Sequence, residues 1–225
     1  MKISAIVFDL DGTLIDSRRD IATACNHALA THGLETLPLA QVEAFVGDGA
    51  RALLSRAAGL AEEDPRVSQL LEAFLDYYAA HPTDQTPLMP GAAEALAALA
   101  ELPLAICTNK PRRTTLAVLE GLALKPYFRA INAGGDLPEK KPHPAPLLHL
   151  ARELGLPPAE LLMVGDGPQD VLAGHAAGSI TVGVRGGIQA VERLLAAEPH
   201  HLLSTLHELP ALVQSLSAPS GGTPR

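Results

Sequence analysis

The fold of this chain is decided by residues 8–17, which read FDLDGTLIDS. They end the apolar run 3–8, whose β-branched residues predict a buried strand. Because side chains alternate along a strand, Asp9 and Asp11 begin on one face, and Gly12 lets the chain turn away. Open α/β sheets bind ligands at the carboxyl ends of their strands. The pattern therefore indicates paired acids in a site, and a strand followed by a solvated acidic turn is the simpler alternative.

The composition indicates a globular protein and excludes several kinds of partner. Of 225 residues, 47% are hydrophobic, which is enough to bury a sizeable core. The formal net charge is −8 without a Lys/Arg stripe, so we expect no nucleic-acid partner. Two cysteines without metal or redox spacing fit a cytoplasmic location. No apolar run has the length of a membrane span, and the start is unlike a signal peptide, so no membrane partner is expected.

Two kinds of pattern follow the first strand. Residues 18–80 show only helical periods, and residues 83–90 contain two prolines and predict a linker. Helical and short apolar strand patterns then alternate, which predicts a parallel sheet covered by helices. The expected strands are 3–8, 104–107, 130–133, 161–164 and 180–184. We therefore expect a doubly wound (Rossmann-like) α/β core formed by 1–15 plus 89–216, an inserted all-α cap domain at 16–88, and a disordered tail at 217–225.

Three of the predicted strands end in polar residues. The first ends at Asp9, the second precedes Thr108, and the third precedes Asp166 and Asp170. Because these strands are expected to be parallel, their ends should lie on one edge of the sheet. The sequence thus predicts carboxylates and a hydroxyl at one place.

The acids at this edge favour a divalent cation. Two carboxylates about 4 Å apart repel by about 4 kcal/mol at an effective dielectric of about 20, and a hard cation removes this cost. Mg²⁺ is commonly held by one or two carboxylates together with water and a substrate phosphate. The chain has no Cys/His cluster for zinc, and we expect His27, His32, His200 and His201 to lie at the surface.

The other groups at this edge suit a phosphate. The hydroxyl of Thr108 lies where a strand gives way to a helix, so it could bind a phosphate or cap that helix. Either Lys140 or Lys141 could supply a fixed positive charge. A carboxylate that attacks phosphorus forms an acyl-phosphate and divides one difficult step into two. In such a reaction Asp11 could protonate the leaving oxygen and later take a proton from water.

These residues resemble the haloacid dehalogenase superfamily of phosphotransferases. Four motifs of that superfamily stand in order, namely DxDGT at 9–13, Thr108, the Lys-Pro pair at 141–142, and GDxxxD at 165–170. The resemblance implies that Asp9 is the nucleophile and Asp11 the general acid and base. The implied Mg²⁺ ligands are Asp9, the backbone carbonyl of Asp11, and Asp166, with Asp170 in support. The implied phosphate-binding residues are Thr108, Asn109 and Lys141.

Within the superfamily the chain is most similar to the phosphoglycolate phosphatase group. The supporting segments are 46–54, 90–91, 108–111 and 134–144. The resemblance implies a cap loop with Gly47, Gly49 and Arg51 that closes over the active site. Arg51 would meet a substrate carboxylate, or it would face solvent. The chain departs from the family pattern at Gly167 and Gln169, where Ser and Asn are usual.

The resemblance implies a Mg²⁺-dependent phosphatase that acts on a small phosphorylated metabolite, with 2-phosphoglycolate as the best candidate, as a monomer or homodimer. Alternatives on the same scaffold are a phosphosugar phosphatase, a β-phosphoglucomutase-like phosphotransferase and a pyrophosphatase. A dehalogenase would lack an acid at the position of Asp11. A non-catalytic binding protein would be expected to have lost Asp9, Asp11 or Asp166, and all three are present.

Overall fold

The computed structural model describes residues 2–217 and contains a six-stranded sheet. Its strands are β1 (Ala5–Phe8), β2 (Leu104–Pro111), β3 (Phe128–Gly134), β4 (Leu161–Gly165), β5 (Ile180–Val184) and β6 (His201–Leu203). They lie in the order β3-β2-β1-β4-β5-β6, and every neighbouring pair is parallel. The chain winds one way from β1 to β3 and the other way from β4 to β6. This confirms the predicted doubly wound α/β class and places the reversal beside β1.

The helices of the described residues fall into two groups. The first group lies between β1 and β2 and consists of α1 (Arg18–Thr31), α2 (Leu39–Glu43), α3 (Ala50–Ala58) and α4 (Pro65–Ala80), followed by α5 (Ala92–Ala98) next to the sheet. The second group alternates with the strands and consists of α6 (Arg112–Gly121), α7 (Ala145–Leu154), α8 (Pro168–Ala177), α9 (Val191–Ala196) and α10 (Leu209–Ser217). None of these helices is both long and apolar enough to cross a membrane.

The central strand β1 contributes to both layers of the core. Its alternating side chains point to opposite faces of the sheet. Ile6 and Phe8 belong to a cluster with buried residues of α5, α6 and α10 and of the helical block. Ala5 and Val7 belong to a smaller cluster with residues of α7 and α8. Because both faces are covered, β1 is apolar throughout, and its first polar side chain comes at its carboxyl end.

The two connections between the sheet and α1–α4 run side by side. Ile15 forms an antiparallel bridge with Leu88, and the Met89 amide donates to the Leu14 carbonyl at 2.9 Å. The boundaries expected at 15/16 and 88/89 lie at this pairing. The division into core and cap domains stays a prediction.

The structure differs from the sequence expectations mainly after β5. The elements α9, β6 and α10 were not predicted individually, because β6 has only three residues and no alternation of polar and apolar side chains. The tail expected at 217–225 is wrong at its first residue, since Ser217 ends α10, and its other residues lie outside the described part. The second strand continues through Pro111 instead of ending at residue 107.

Candidate active site

Three buried carboxylates meet at the carboxyl edge of the sheet. Asp9, Asp166 and Asp170 each offer an oxygen within 4.8 Å of the others. The parallel register of β1 and β4 brings their ends together, since Phe8 lies opposite Val164, Asp9 directly follows β1, and Asp166 directly follows Gly165 at the end of β4. The sequence prediction that separate strand ends bring these acids together agrees with the geometry.

The carboxylate of Asp166 is fixed by backbone amides. Its Oδ2 accepts hydrogen bonds from the amides of Ile188 at 2.8 Å and Gln189 at 3.1 Å. Its Oδ1 accepts only a long hydrogen bond of 3.4 Å from the Thr13 hydroxyl. Burial raises the pKa of Asp166 to about 7, the charge of Asp9 adds to this rise, and the two amides oppose it. The charged form is therefore costly here unless a cation lies nearby.

Two glycines allow the surrounding loops to approach Asp166. A Cβ on Gly12 would lie 2.3 Å from Asp166 Oδ2, and one on Gly187 would lie 2.2 Å from the same oxygen. Gly12 also has a φ of +84°, which side chains rarely adopt. The turn after β1 therefore depends on Gly12 for both its direction and its closeness to the acid.

Lys141 is the buried cation of the site. Its Nζ lies 2.9 Å from Asp9 Oδ1 and 2.5 Å from Asp170 Oδ1, and its side chain is 1% exposed. Burial disfavours the ammonium, but Asp170 and Asp9 outweigh that effect and hold the pKa of Lys141 above its usual value. The neighbouring Lys140 is exposed and donates to the Asp48 carbonyl at 2.6 Å, so Lys141 is the lysine that contacts the acids.

The oxygens that stay available around these acids suit Mg²⁺. Asp9 Oδ1 is buried and accepts no hydrogen bond from a described residue, because the nearby Lys141 ammonium is not aligned for one. Asp170 is more engaged, since its second oxygen accepts the Gly167 amide at 3.0 Å. No described residue donates a hydrogen bond to either oxygen of Asp9, so the Asp9 carboxylate and the weakly bonded Asp166 Oδ1 are left for a cation. Two carboxylates with room for other oxygen ligands fit what Mg²⁺ needs.

Asp11 lies beside this cluster and is held by two side chains. The Ser17 hydroxyl donates to its Oδ1 at 2.6 Å, and Lys110 Nζ donates to Oδ1 and Oδ2 at 3.0 and 3.3 Å. Lys110 also donates to the Tyr78 hydroxyl at 2.7 Å, and burial lowers the pKa of Lys110 although Asp11 opposes that effect. No local pattern of the sequence indicates a role for Lys110 or for Tyr78.

Thr108 and Asn109 differ in how far they are free to bind a phosphate. Thr108 lines the cavity, and its Oγ1 accepts the Lys110 amide at 3.2 Å. It does not cap α6, because that helix begins after Pro111. The Asn109 amide is already used, since it donates to the Lys141 carbonyl at 2.9 Å and accepts the Lys141 amide at 3.0 Å. Its side chain thus positions Lys141, and phosphate binding by Asn109 stays a prediction.

A loop of the helical block lies against the site. The three successive carbonyls of residues 46–48 accept hydrogen bonds from Gln189 Nε2, from Asn109 Nδ2 at 3.0 Å and from Lys140 Nζ at 2.6 Å, respectively. The donors come from three parts of the α/β core, namely strand β2, the loop after β3 and the loop after β5. Sequence reasoning missed this arrangement, because its partners are up to 143 residues apart.

A cavity lies between this loop and the acids. Gly47 and Gly49 line it, as the sequence analysis expected for the cap loop. Arg51 does not line it, since its guanidinium donates to the Glu62 carbonyl at 2.9 Å and to the Ser68 hydroxyl at 3.0 Å. The wall that the helical block contributes is largely apolar and includes Ile21, Val46, Ala50, Leu53 and Phe74.

The chain is similar in sequence and structure to known hydrolases. A sequence model of the family described as "Haloacid dehalogenase-like hydrolase" matches residues 6–184. A protein of Yersinia pestis named "Phosphoglycolate phosphatase" is 38% identical over 212 residues, which cover 92% of this chain and 91% of that protein. A protein of the same name from Chromobacterium violaceum is 38% identical over 213 residues, which cover 92% of this chain and 96% of that protein. The crystal structure of "a predicted phosphoglycolate phosphatase" from Haemophilus somnus superposes with a TM-score of 0.87 at 30% identity and covers 95% of this chain and 99% of that one.

Proposed function

Because this chain belongs to the haloacid dehalogenase-like hydrolase family, we propose that it is a Mg²⁺-dependent phosphatase that hydrolyses 2-phosphoglycolate through an acyl-phosphate on the Asp9 carboxylate. The observation that carries this proposal is the buried Asp9 carboxylate, which lies 2.9 Å from the Lys141 ammonium, has an oxygen within 4.8 Å of a second acid, and accepts no hydrogen bond from a described residue.

Asp9 is the nucleophile in this proposal. Its carboxylate attacks phosphorus, the bond from phosphorus to the ester oxygen breaks, and water later cleaves the acyl-phosphate to restore the carboxylate. Lys141 holds Asp9 in place and offsets the negative charge that accumulates when an anion attacks an anion. Asn109 fixes the backbone on which Lys141 is carried.

Asp11 is the proton donor and acceptor. It donates a proton to the leaving oxygen in the first step and takes one from the attacking water in the second. The hydrogen bonds from Ser17 and Lys110 fix its carboxylate at the mouth of the Asp9 cluster. Thr108 is positioned at the same edge to donate its hydroxyl to a phosphoryl oxygen.

The residues that would hold Mg²⁺ are Asp9, Asp166 and the Asp11 carbonyl, with Asp170 in support through Lys141 and the Gly167 amide. When bound, Mg²⁺ supplies positive charge that offsets the repulsion between these carboxylates and a phosphoryl group.

Two observations support 2-phosphoglycolate over larger esters. Relatives of this name match more than nine-tenths of the chain. The wall that the helical block contributes presents apolar side chains such as Leu53 and Phe74, which offer no hydrogen bonds to the hydroxyls of a sugar. A small ester of an organic acid suits this cavity better than a phosphosugar.

The proposal is tested by steady-state kinetics on a panel of esters. We expect kcat/KM for 2-phosphoglycolate to exceed that for glucose 6-phosphate and for pyrophosphate at least 10-fold, with activity lost in EDTA and restored by Mg²⁺. A higher kcat/KM for the sugar ester or pyrophosphate would refute the substrate. Full activity in excess EDTA would refute the metal dependence.

A further inference from the structure

The cavity contains one cation, Lys110, whose only role in the proposed hydrolytic steps is to hold Asp11. Among the described residues that line it, Lys110 is the only lysine or arginine. The side chain is 5% exposed, so it is not a solvated surface lysine. Burying an ammonium is costly unless anions or other acceptors surround it.

Lys110 is held where a leaving group would emerge from the acids. Its Nζ lies 3.0 Å from Asp11 Oδ1 and 2.7 Å from the Tyr78 hydroxyl, and it lies 4.1 Å from the centre of the Tyr78 ring. Tyr78 comes from α4 and Lys110 from β2, so two separate parts of the chain fix the ammonium. The position of the charge is thereby set with little freedom.

An ester that carries a second anion would meet mostly negative charge in this cavity. Asp9, Asp11 and Asp166 line the cavity, while the wall that the helical block contributes is largely apolar. The guanidinium of Arg51, which the sequence offered as a partner for a substrate carboxylate, is engaged elsewhere. Of the lining side chains, Lys110 alone can neutralise a carboxylate on the leaving group.

We propose that Lys110, held by Tyr78, binds a carboxylate on the leaving group and thereby selects phosphate esters of small α-hydroxy acids. This inference rests on the proposed phosphatase function and assigns its specificity to one side chain. An ester oxygen that Asp11 protonates across about 2.8 Å lies within about 6 Å of Lys110 Nζ. The carboxylate oxygens of such an ester lie roughly 3 Å beyond the ester oxygen, so an ester whose carboxylate points towards Lys110 can reach hydrogen-bond distance of the ammonium.

The test compares 2-phosphoglycolate with its amide, which has nearly the same size and no charge on the leaving group. The measured quantity is the ratio of kcat/KM for the acid to kcat/KM for the amide. For the unchanged protein we expect a ratio of at least about 10, and Lys110→Met and Lys110→Gln should lower this ratio about 10- to 100-fold. Any general damage to Asp11 affects both esters and cancels in the ratio. Lys125→Met is the matched control, because Lys125 is exposed, pairs with Glu120 and does not line the cavity.

Each outcome decides the inference. A ratio that stays the same in a folded Lys110 variant overturns it, even if both esters are hydrolysed and the phosphatase function stands. If neither Lys110 variant folds, the ratio measured for the unchanged protein still tests the inference, because equal kcat/KM for the acid and the amide would overturn it. If the unchanged protein hydrolyses other phosphate esters but neither of these two, the proposed substrate and this inference both fall.

Discussion

Replacing Lys141 with Met should lower the free energy of unfolding by about 3–5 kcal/mol, the range found when one partner of a buried ion pair is removed. The distances of 2.9 Å to Asp9 and 2.5 Å to Asp170 give attractions of about 6 kcal/mol each at an effective dielectric of about 20. The cost of burying the ammonium offsets more than half of their sum. The variant leaves Asp9, Asp166 and Asp170 within 4.8 Å of one another without the lysine between them.

The loss is measured by urea unfolding in EDTA at about pH 8, followed by circular dichroism. The matched control is the double variant Lys141→Met with Asp170→Asn, whose amide oxygen can still accept the Gly167 amide. Because the double variant removes one of the negative charges that Lys141→Met leaves without a cation, it should be more stable than Lys141→Met alone. The reasoning is refuted if Lys141→Met loses less than about 1 kcal/mol, or if the second substitution lowers stability further.

Two further predictions concern the turn after β1 and the far edge of the sheet. Gly12→Ala should reduce kcat/KM at least about 10-fold, because the added Cβ would displace the Asp166 carboxylate. Gly33→Ala is the control: Gly33 also has a positive φ (+72°), but an added Cβ would meet nothing within 4 Å, so this variant should lose only stability. Equal kcat/KM for the two variants would contradict this prediction. Burial, with the charges of two neighbouring histidines, lowers the pKa of His200. The neutral ring accepts the Thr181 amide at Nδ1 at 3.1 Å. The stability that this neutral form contributes is complete above about pH 6.5 and is lost as the pH falls from there to the lowered pKa of the folded state. The difference in unfolding free energy between the unchanged protein and His200→Gln should therefore shrink from about pH 7.5 to about pH 5, and a constant difference would show that His200 does not titrate in this way.

The acidic centre could be predicted from the sequence because its signals are local. Asp9 follows a short strand that is apolar on both faces, and Asp166 follows another. Once the strands are taken as parallel, their ends must share an edge, and the chemistry of closely spaced carboxylates then favours a hard cation. The bounds of β5 also match the expected residues 180–184, because a clear apolar run defines this strand.

The parts that could not be predicted depend on contacts between distant residues. The amide of Asn109 is engaged by Lys141, 32 residues away, which local patterns do not reveal. The contact of Lys110 with Tyr78 joins a strand end to an apparently apolar helix position. The guanidinium of Arg51 finds acceptors on its own side of the helical block, so its charge alone was a misleading signal.

The central claim is that Asp9 carries the phosphoryl group during turnover. A reaction with 2-phosphoglycolate and Mg²⁺ is quenched during turnover with borohydride, which reduces an aspartyl phosphate to homoserine, and the peptides are mapped by mass spectrometry. We predict homoserine at position 9 in the unchanged protein, and neither homoserine nor turnover in a folded Asp9→Asn variant. Turnover near the normal rate in Asp9→Asn, or homoserine at a different acidic residue, would contradict the account.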